Sequence, residues 1–489
     1  MKIISSNKKQ NFVLALLLLC SLFIRLYFQI GHIFSDDAYY SYLSYNLLNV
    51  DLTNDYLGYP VFPLRIAFIG LTSFSMMIFG TNEFATIIFP MVFSLANILL
   101  IYKIARLLIS DEKIALLTAL LTAFFPTDVI FASIGFPDLI NVFFINLGIY
   151  LLLKSYLQKK TYLTYVGGIS FFLSMQFKEN AYYVLFLLLV LLVYYMYKKK
   201  QIISQLLVGI IFIVVNYLFE GLIYLLVYGD LLYRLTITNL NYNYSSYDFF
   251  PYTAQKLSGS TNYFRNVIDQ IFLINAKSIF LRRFYLFLPI ISVIQTFFSF
   301  KRKEHPLITF WFWGMAFFLI GFTTSFSEYK PLDLARSWYI YPLMMPMILL
   351  SAIFINRFSK LIKSGLIIIY ILGSLIMCFE YTNFFDRDNL NSLKVFLREN
   401  PSKTIYTDHF TKYSVDLIRE YKADYSERIL GNDFDFSQIP ASSWILYNKN
   451  HIDELILQKY QFPDFDLLNT TEFKEIASFN DFIFYEKLP

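Results

Sequence analysis

The stretch Ser35-Asp36-Asp37-Ala38-Tyr39-Tyr40 follows the first long apolar segment of the chain, residues 11–30. Two adjacent carboxylates at a membrane boundary are costly to keep charged, and ionisable residues in such places usually serve a function. We therefore interpret the aspartate pair as the functional centre of the chain. The rest of the sequence is then expected to form a scaffold that presents this pair on one side of a bilayer.

The composition is typical of an integral membrane protein. The 489 residues are 57% apolar and only 16% charged, whereas soluble proteins have about 25% charged residues, and the mean hydropathy is +0.50. The net charge of +5 comes largely from basic loops beside apolar segments, so no nucleic-acid partner is expected. Two distant cysteines, Cys20 and Cys378, and four scattered histidines predict neither a disulfide nor a metal site.

The distribution of lysine and arginine predicts the topology. Apolar stretches long enough to cross a bilayer, about 17–25 residues each, fall near residues 11–30, 84–107, 114–133, 138–156, 161–177, 180–197, 203–228, 284–300, 307–325, 338–356 and 364–381. A further apolar stretch, 62–80, is ambiguous. If it does not cross, the basic clusters all lie on the cytoplasmic side, as the positive-inside rule requires. We therefore predict about eleven transmembrane helices, a cytoplasmic N-terminus, and a juxtamembrane or re-entrant helix at 62–80.

The same topology predicts four segments outside the cytoplasm: loop 31–83, loop 229–283, loop 326–337, and a tail from about 383 to 489. The tail is polar, with predicted strands at Thr404–Thr407, Trp444–Tyr447 and Asp481–Tyr485 and a predicted helix at Tyr413–Tyr421. The chain thus divides into a polytopic α-helical membrane domain, residues 1–382, and a small extracytoplasmic α/β domain, residues 383–489.

Asp36 and Asp37 have two interpretations. Adjacent carboxylates repel, so one can titrate high enough to accept a proton from a substrate hydroxyl, or the pair can hold a metal. Alternatively, an aspartate can cap the helix that begins at Ala38. Tyr39 and Tyr40 beside the pair can stack on a sugar ring, or belong to an interfacial aromatic belt.

Other charged residues gather at the predicted outer ends of the helices. Asp138 opens one crossing after Pro137, and Asp128 is a weaker candidate. Lys178 and Glu179 interrupt two apolar helices, either as a polar turn or as part of an anion site. Several arginines also oppose the basic-inside bias, and they can anchor the protein at the interface or bind a phosphate through the planar guanidinium. We regard the following as candidates for this outer substrate site: Asp138, Lys178, Glu179, Arg65, Arg336 and Tyr341, with Arg25, Arg282 and Arg283 as further basic residues.

The sequence lacks a Walker-type glycine-rich loop, and no predicted cytoplasmic loop is long enough for a nucleotide-binding domain. We therefore do not expect ATP or a nucleotide sugar as the energy source. An activated donor that already resides in the membrane agrees better with this chain.

The chain resembles the GT-C superfamily of membrane glycosyltransferases, in particular the dolichyl-phosphate-mannose protein mannosyltransferases and aminoarabinose transferases. The resemblance is strongest over residues 10–180. It rests on the acidic pair followed by Ala38-Tyr39-Tyr40 and on three later segments: Ile78-Phe79-Gly80-Thr81-Asn82-Glu83-Phe84-Ala85, Tyr102-Lys103-Ile104-Ala105-Arg106-Leu107-Leu108, and the helix opened by Pro137-Asp138.

This resemblance implies a sugar donor carried on polyprenyl phosphate, with Asp36 or Asp37 as the base and Arg65, Lys178 and Arg336 as candidates for holding the lipid phosphate. Two family features are missing. The Lys-Pro-Pro of some members is replaced by Tyr59-Pro60-Val61-Phe62-Pro63, and the Asp-x-Asp metal motif of oligosaccharyltransferases is absent. We therefore expect neither a metal nor another cofactor.

The sequence thus predicts an inverting glycosyltransferase of the plasma membrane, which transfers a sugar to an extracytoplasmic protein, lipid or glycan. A transporter or a flippase for lipid-linked sugars is the alternative, although the chain shows no internal repeat of the kind many transporters have. A receptor or assembly protein that works through its tail is a further possibility.

Overall fold

The structure is a computed structural model that describes residues 8–49, 61–197, 202–239, 287–321, 341–422, 426–428, 436–449, 468 and 472–489. Arg282, Arg283 and Arg336 lie outside these residues, as do loop 326–337 and much of loop 229–283.

A bundle of helices makes up most of the described part of the molecule. The helices are α1 (Lys8–Tyr27), α2 (Asp36–Leu48), α3 (Ile66–Phe79), α4 (Glu83–Ile109), α5 (Glu112–Ala123), α6 (Pro126–Phe131), α7 (Asp138–Gln158), α8 (Tyr162–Phe177), α9 (Tyr182–Tyr197), α10 (Ile203–Tyr228), α11 (Phe287–Arg302), α12 (Pro306–Gly321), α13 (Met344–Asn356) and α14 (Lys360–Phe384). Most of these bounds agree closely with the predicted apolar stretches. Among the described helices, α1, α4, α7, α10 and α14 are each long and apolar enough to cross a bilayer, and the figure of eleven crossings stays a prediction.

Residues 62–80 form a 3₁₀ turn at Phe62–Leu64 followed by α3, as expected for a segment that contains Pro63. The 14 residues of α3 span only about 21 Å at 1.5 Å per residue, short of a hydrocarbon core of about 30 Å. The helix packs instead against α2, where the rings of Tyr40 and Phe68 meet edge to face at 5.0 Å. Because α13 is shorter still, length alone does not distinguish α3 from the predicted crossings, and the non-crossing assignment of 62–80 stays a prediction.

The stretch 114–133, predicted as one continuous crossing, is two helices in the structure. The break falls before Pro126, the first residue of α6, because proline lacks the N–H that would continue the hydrogen-bond ladder. The prediction of one continuous helix over 114–133 is therefore wrong. Beyond the break, Asp128 of α6 forms an ion pair with Arg25 of α1, with 2.6 Å between the carboxylate and the guanidinium.

The tail contains helix α15 (Arg387–Glu399), helix α16 (His409–Ile418) and a sheet of five strands. The strands are β1 (Ile405–Thr407), β2 (Ser426–Arg428), β3 (Trp444–Asn448), β4 (Phe473–Phe479) and β5 (Phe482–Lys487), in the spatial order β2-β1-β3-β5-β4. β1 pairs in parallel with β2 and β3, whereas β5 runs antiparallel to β3 and β4. Strands β1, β3 and β5 lie where the sequence predicted them, and α16 begins four residues before the predicted helix.

The tail packs on the end of the bundle where α1 finishes and α4 begins, which we call the loop end. Lys394 of α15 contacts the carboxylate of Glu83 at 2.5 Å. The hydroxyl of Thr81 donates a hydrogen bond of 2.8 Å to the carbonyl of Glu420. The acidic stretch that follows α1 therefore lies between the bundle and the tail.

Gly31 supplies a test of this packing. Its φ is +77°, and an added Cβ would lie 2.1 Å from the Glu83 carboxylate. Gly31→Ala is therefore expected to destabilise the protein by at least about 1 kcal/mol, the cost of a left-handed conformation for a residue with a Cβ. The measurement is thermal unfolding in detergent. Gly365→Ala is the control, because nothing lies within 4 Å of its Cβ position. Equal melting temperatures for the two variants would contradict the close approach.

Candidate active site

The structure separates the two aspartates of the pair. The side chain of Asp37 is buried, whereas that of Asp36, the first residue of α2, is exposed. The Asp37 carboxylate accepts hydrogen bonds from the backbone N–H of Ile33 at 2.7 Å and of Ser35 at 2.9 Å. The ring of His32 lies 2.9 Å away through Nδ1. Asp37 therefore organises the turn that leads into the helix.

Burial by itself raises the pKa of Asp37, but the His32 ring and the two N–H groups outweigh it, so the pKa lies below the ordinary value for aspartate. A carboxyl group held in its ionised form by so many donors is a poor proton acceptor. This environment separates Asp37 chemically from its exposed neighbour.

Tyr40 contacts a basic group, Arg65. The Tyr40 ring is buried, and its hydroxyl accepts a hydrogen bond from Nη1 of Arg65. Burial raises the pKa of Tyr40 well above its ordinary value; Arg65 opposes this effect and Asp36 adds to it. Asp36 and Arg65 thus act on the same hydroxyl. Tyr39 is fully buried against Phe62 at 5.5 Å, so neither tyrosine exposes a ring face to a sugar in this structure.

Arg65 holds a buried ion pair with Glu179. Its Nη2 lies 2.9 Å from Oε2 of Glu179, and its guanidinium lies 4.9 Å from the centre of the Phe62 ring. Burial raises the pKa of Glu179, but Arg65 and, to a smaller degree, Arg234 bring it below the ordinary value. The carboxylate therefore stays charged beside two guanidinium groups.

Arg234 is a site residue that the sequence analysis missed. It is buried, and its Nη2 donates to the carbonyl of Leu64 at 2.9 Å and to the side chain of Gln176 at 2.7 Å. It also forms an ion pair with Glu220 of α10. The Nη1 group is buried without a hydrogen-bond partner among the described residues. Glu220, a carboxylate inside the apolar stretch 203–228, could have indicated this residue from the sequence, because a buried carboxylate needs a cationic partner.

Lys178 and Asp138 form a further ion pair of 2.7 Å, which joins the end of α8 to the start of α7. The side chain of Asn141 donates to the backbone carbonyl of Lys178 at 3.0 Å and so fixes the turn. Of the predicted substrate-site residues, the structure therefore brings Lys178, Glu179, Arg65 and Asp138 together at the loop end.

Tyr341 belongs to a different cluster. Its hydroxyl donates to Asp128, which also pairs with Arg25, while Nε of Arg25 donates to Ser94 at 2.6 Å. All four of these side chains are buried. This cluster ties α1, α4 and α6 to the start of the helix pair that follows residue 341, and its polar groups satisfy one another. We interpret it as structural.

An apolar groove of about 350 Å³ opens between α3, α4, α7 and α8. The three ion pairs Arg65–Glu179, Lys178–Asp138 and Arg234–Glu220 form what we call the polar network. The groove begins next to this network, because Ile66 follows Arg65 and Phe177 precedes Lys178 in the chain. Its lining is entirely apolar: Ile66, Ala67, Gly70, Leu71, Phe74, Phe93, Phe144, Leu173 and Phe177. A lipid tail in this groove would place its polar end near the cations. Among the described residues, no group of three histidine, cysteine, aspartate or glutamate side chains could hold a metal ion.

Comparisons with known proteins identify the fold. The sequence profile of the dolichyl-phosphate-mannose-protein mannosyltransferase family matches residues 60–219, and no curated protein matches the chain by sequence. A structure of ArnT from Cupriavidus metallidurans bound to undecaprenyl phosphate is similar with a TM-score of 0.58 and 11% identity, over 98% of each chain. These matches confirm the resemblance to the GT-C superfamily and support an integral membrane protein.

Two structures of the Archaeoglobus fulgidus oligosaccharyltransferase show the same fold at lower coverage of their chains. The complex with Zn and sulfate has a TM-score of 0.53 and 13% identity, over 83% of this chain and 61% of that one. The complex tethered with an acceptor peptide containing the NVT sequon has a TM-score of 0.51 and 10% identity, over 91% and 70%. This chain thus spans less than two thirds of the first of these oligosaccharyltransferase chains.

The burial of Asp37 yields a prediction about stability and pH. We expect Asp37→Asn to destabilise the protein by about 3 kcal/mol, because the substitution leaves buried donors without their anion. The folded-state pKa of Asp37 is lowered, so its contribution is complete above the unfolded pKa of about 3.9 and is lost as the pH falls through the folded value. The measurement is the melting temperature of wild type and Asp37→Asn from pH 5 to pH 3. A difference that does not shrink with acid would contradict the role of the ionised carboxylate.

Proposed function

We propose that this protein transfers a sugar from a polyprenyl-phosphate carrier to an acceptor outside the cytoplasm, with inversion at the anomeric carbon. One observation carries the proposal: an exposed carboxylate, Asp36, lies at the same end of the bundle as a buried basic network that adjoins an apolar groove. A base, an anion site and a lipid site are the three elements that such a reaction needs. The GT-C fold supports the assignment.

Asp36 is the proposed general base. Its side chain is exposed and so accessible to an acceptor, whereas the side chain of Asp37 is buried. In the reaction, Asp36 takes the proton of an acceptor hydroxyl, and the acceptor oxygen forms a bond to the anomeric carbon. The bond from that carbon to the phosphate oxygen breaks, and the electron pair leaves with polyprenyl phosphate.

The proposed phosphate site is formed by Arg65, Arg234 and Lys178. Guanidinium groups match phosphate oxygens through paired N–H donors, and Nη1 of Arg234 has hydrogen-bonding capacity that the described residues leave unused. The polyprenyl tail is proposed to lie in the groove that begins at Ile66 and Phe177. The undecaprenyl phosphate bound to ArnT is a ligand of this chemistry, a long apolar chain with one anionic end.

The membrane orientation and the domain division belong to the same proposal. The basic clusters favour a cytoplasmic N-terminus, which would place Asp36 and the tail on the extracytoplasmic side. The membrane in question is proposed to be the plasma membrane. Residues 1–382 would form the catalytic membrane domain and residues 383–489 the outer domain. The transporter alternative has no observation in its favour among the described residues.

The base assignment is tested by Asp36→Asn. An amide cannot take the proton, so turnover is expected to fall by about 10²–10⁴-fold, with little change in melting temperature because the side chain is exposed. The measurement is sugar transfer or hydrolysis from a panel of radiolabelled polyprenyl-phosphate sugars by purified protein. Asp388→Asn is the control, since that side chain is 91% exposed and lies in the tail. Full activity of Asp36→Asn would exclude the base role.

The phosphate assignment is tested by Arg65→Lys. Lysine keeps the charge but loses the planar fork, so KM for the lipid donor is expected to rise about tenfold, a loss of about 1.4 kcal/mol. Arg357→Lys is a matched control, because Arg357 also pairs with a glutamate, Glu304 at 2.8 Å, at the opposite end of the bundle. An unchanged KM in Arg65→Lys, or the same increase in both variants, would contradict the assignment.

A further inference from the structure

We infer that the tail is part of the framework of the active site, and that Lys394, Glu83 and His32 are positioning residues for Asp36. This inference rests on the proposed function where it concerns catalysis. Its structural core, that the tail fixes the place of the exposed carboxylate, is independent of the reaction. Two separate contacts between the tail and the first loop carry it.

The first contact is a chain of polar groups from α15 to the acidic pair. Nζ of Lys394 contacts Oε1 of Glu83 at 2.5 Å and donates to the carbonyl of Ile30 at 3.2 Å. The same carboxylate oxygen accepts the backbone N–H of His32 at 2.7 Å. The His32 ring in turn lies against Asp37, the second residue of α2. Lys394 is therefore three contacts away from the helix that bears Asp36.

The burial of Lys394 gives this chain its importance. The side chain is only 3% exposed, and a buried ammonium is costly unless it is paired and hydrogen-bonded. Replacing a buried ion pair with apolar groups is often neutral for stability, so such a pair is weak evidence for stabilisation. The effect of this pair is geometric. The Lys394 ammonium binds the Ile30 carbonyl, before Gly31, and the Glu83 carboxylate, which in turn accepts the His32 N–H after Gly31. Arg398 adds a more exposed contact to Glu83 at 3.1 Å.

The second contact is a row of stacked tyrosines between α2 and the region of α16. Tyr42 stacks on Tyr413 with 3.9 Å between ring centres, and Tyr45 stacks on Tyr421 with 3.8 Å. Residues 42 and 45 are one helical turn apart, so both rings lie on one face of α2. The tail thus holds this helix along its side as well as at its beginning.

Together the two contacts restrain α2 at separate points. A helix is a stiff element, so a shift of the tail changes the position of its first residue, Asp36. A misplacement of about 1 Å of a catalytic group can lower the rate by about 10²-fold. Removing one contact is therefore expected to lower kcat more than it raises KM for the donor, because the lipid site on α3 and α8 is not part of either contact.

The experiment compares Lys394→Met, Glu83→Gln and the double variant with Lys403→Met. Lys403 is the matched control, because it pairs with Glu486 at 2.9 Å within the tail and has no role in the loop. Each substitution is combined with Asp36→Cys in a Cys20→Ser background, since Cys20 is exposed and Cys378 is buried. The rate at which a charged maleimide modifies the thiol introduced at position 36 reports the position and accessibility of that residue without any need for activity.

The expected result is at least a threefold change in the labelling rate with Lys394→Met and with Glu83→Gln, and no change with Lys403→Met. In the enzyme that retains Asp36, kcat is expected to fall about tenfold in each single variant, and the double variant is expected to match the singles, because both remove the same contact. Tyr42→Leu, which leaves the polar chain intact, is expected to change the labelling rate as well.

Labelling rates and kcat equal to those of Lys403→Met would overturn the inference. If Lys394→Met and Glu83→Gln change the labelling rate but the wild-type protein shows no transferase activity, the positioning role of the tail is retained and the proposed function is refuted. If Lys394→Met does not fold, Glu83→Gln and Tyr42→Leu decide the outcome, because they are milder changes. Normal labelling in both would exclude the tail as a positioning element.

Discussion

The buried carboxylate of Asp37 is the constraint on which the loop end of this molecule depends. A carboxylate can be ionised in a buried place only when polar partners surround it, and here the partners are the His32 ring, whose Nδ1 lies 2.9 Å away, and the N–H groups of Ile33 and Ser35, which donate hydrogen bonds. These groups belong to the turn that connects α1 with α2. Satisfying Asp37 therefore determines the path of the chain and leaves the side chain of Asp36 on the exposed side.

The same requirement organises the ion pairs around the acidic turn. Arg65 pairs with Glu179, Lys178 with Asp138, and Arg234 with Glu220, and each pair joins segments that are distant in sequence or lie on different helices. Buried pairs of this kind cost desolvation energy that their attraction barely repays. Their consequence is a defined geometry, in which three cations and three anions are placed beside an apolar groove.

The sequence predicted the framework of the molecule better than its contacts. Apolar length located most of the helices, including the one within 62–80, because this feature follows from local composition. The break at Pro126 could have been read from proline chemistry, but the apolar run on both sides concealed it. The different environments of Asp36 and Asp37 could not be read, because they depend on which way a turn folds. The pairing of Arg65 with Glu179, 114 residues away, depends likewise on tertiary packing.

The balance of charge in the polar network bears on how it would act on a lipid-linked donor. A sugar on polyprenyl phosphate is a diester with one negative charge, whereas the released polyprenyl phosphate is a monoester with a charge of about −1.5 to −2 near pH 7. Negative charge therefore grows on the phosphate as the bond breaks. Arginines held by Glu179 and Glu220 are already oriented in this structure, so in the proposed reaction they would need little reorganisation as that charge develops. In the proposed reaction they would interact more strongly with the departing phosphate than with the bound diester, so their attraction would lower the barrier as well as support binding.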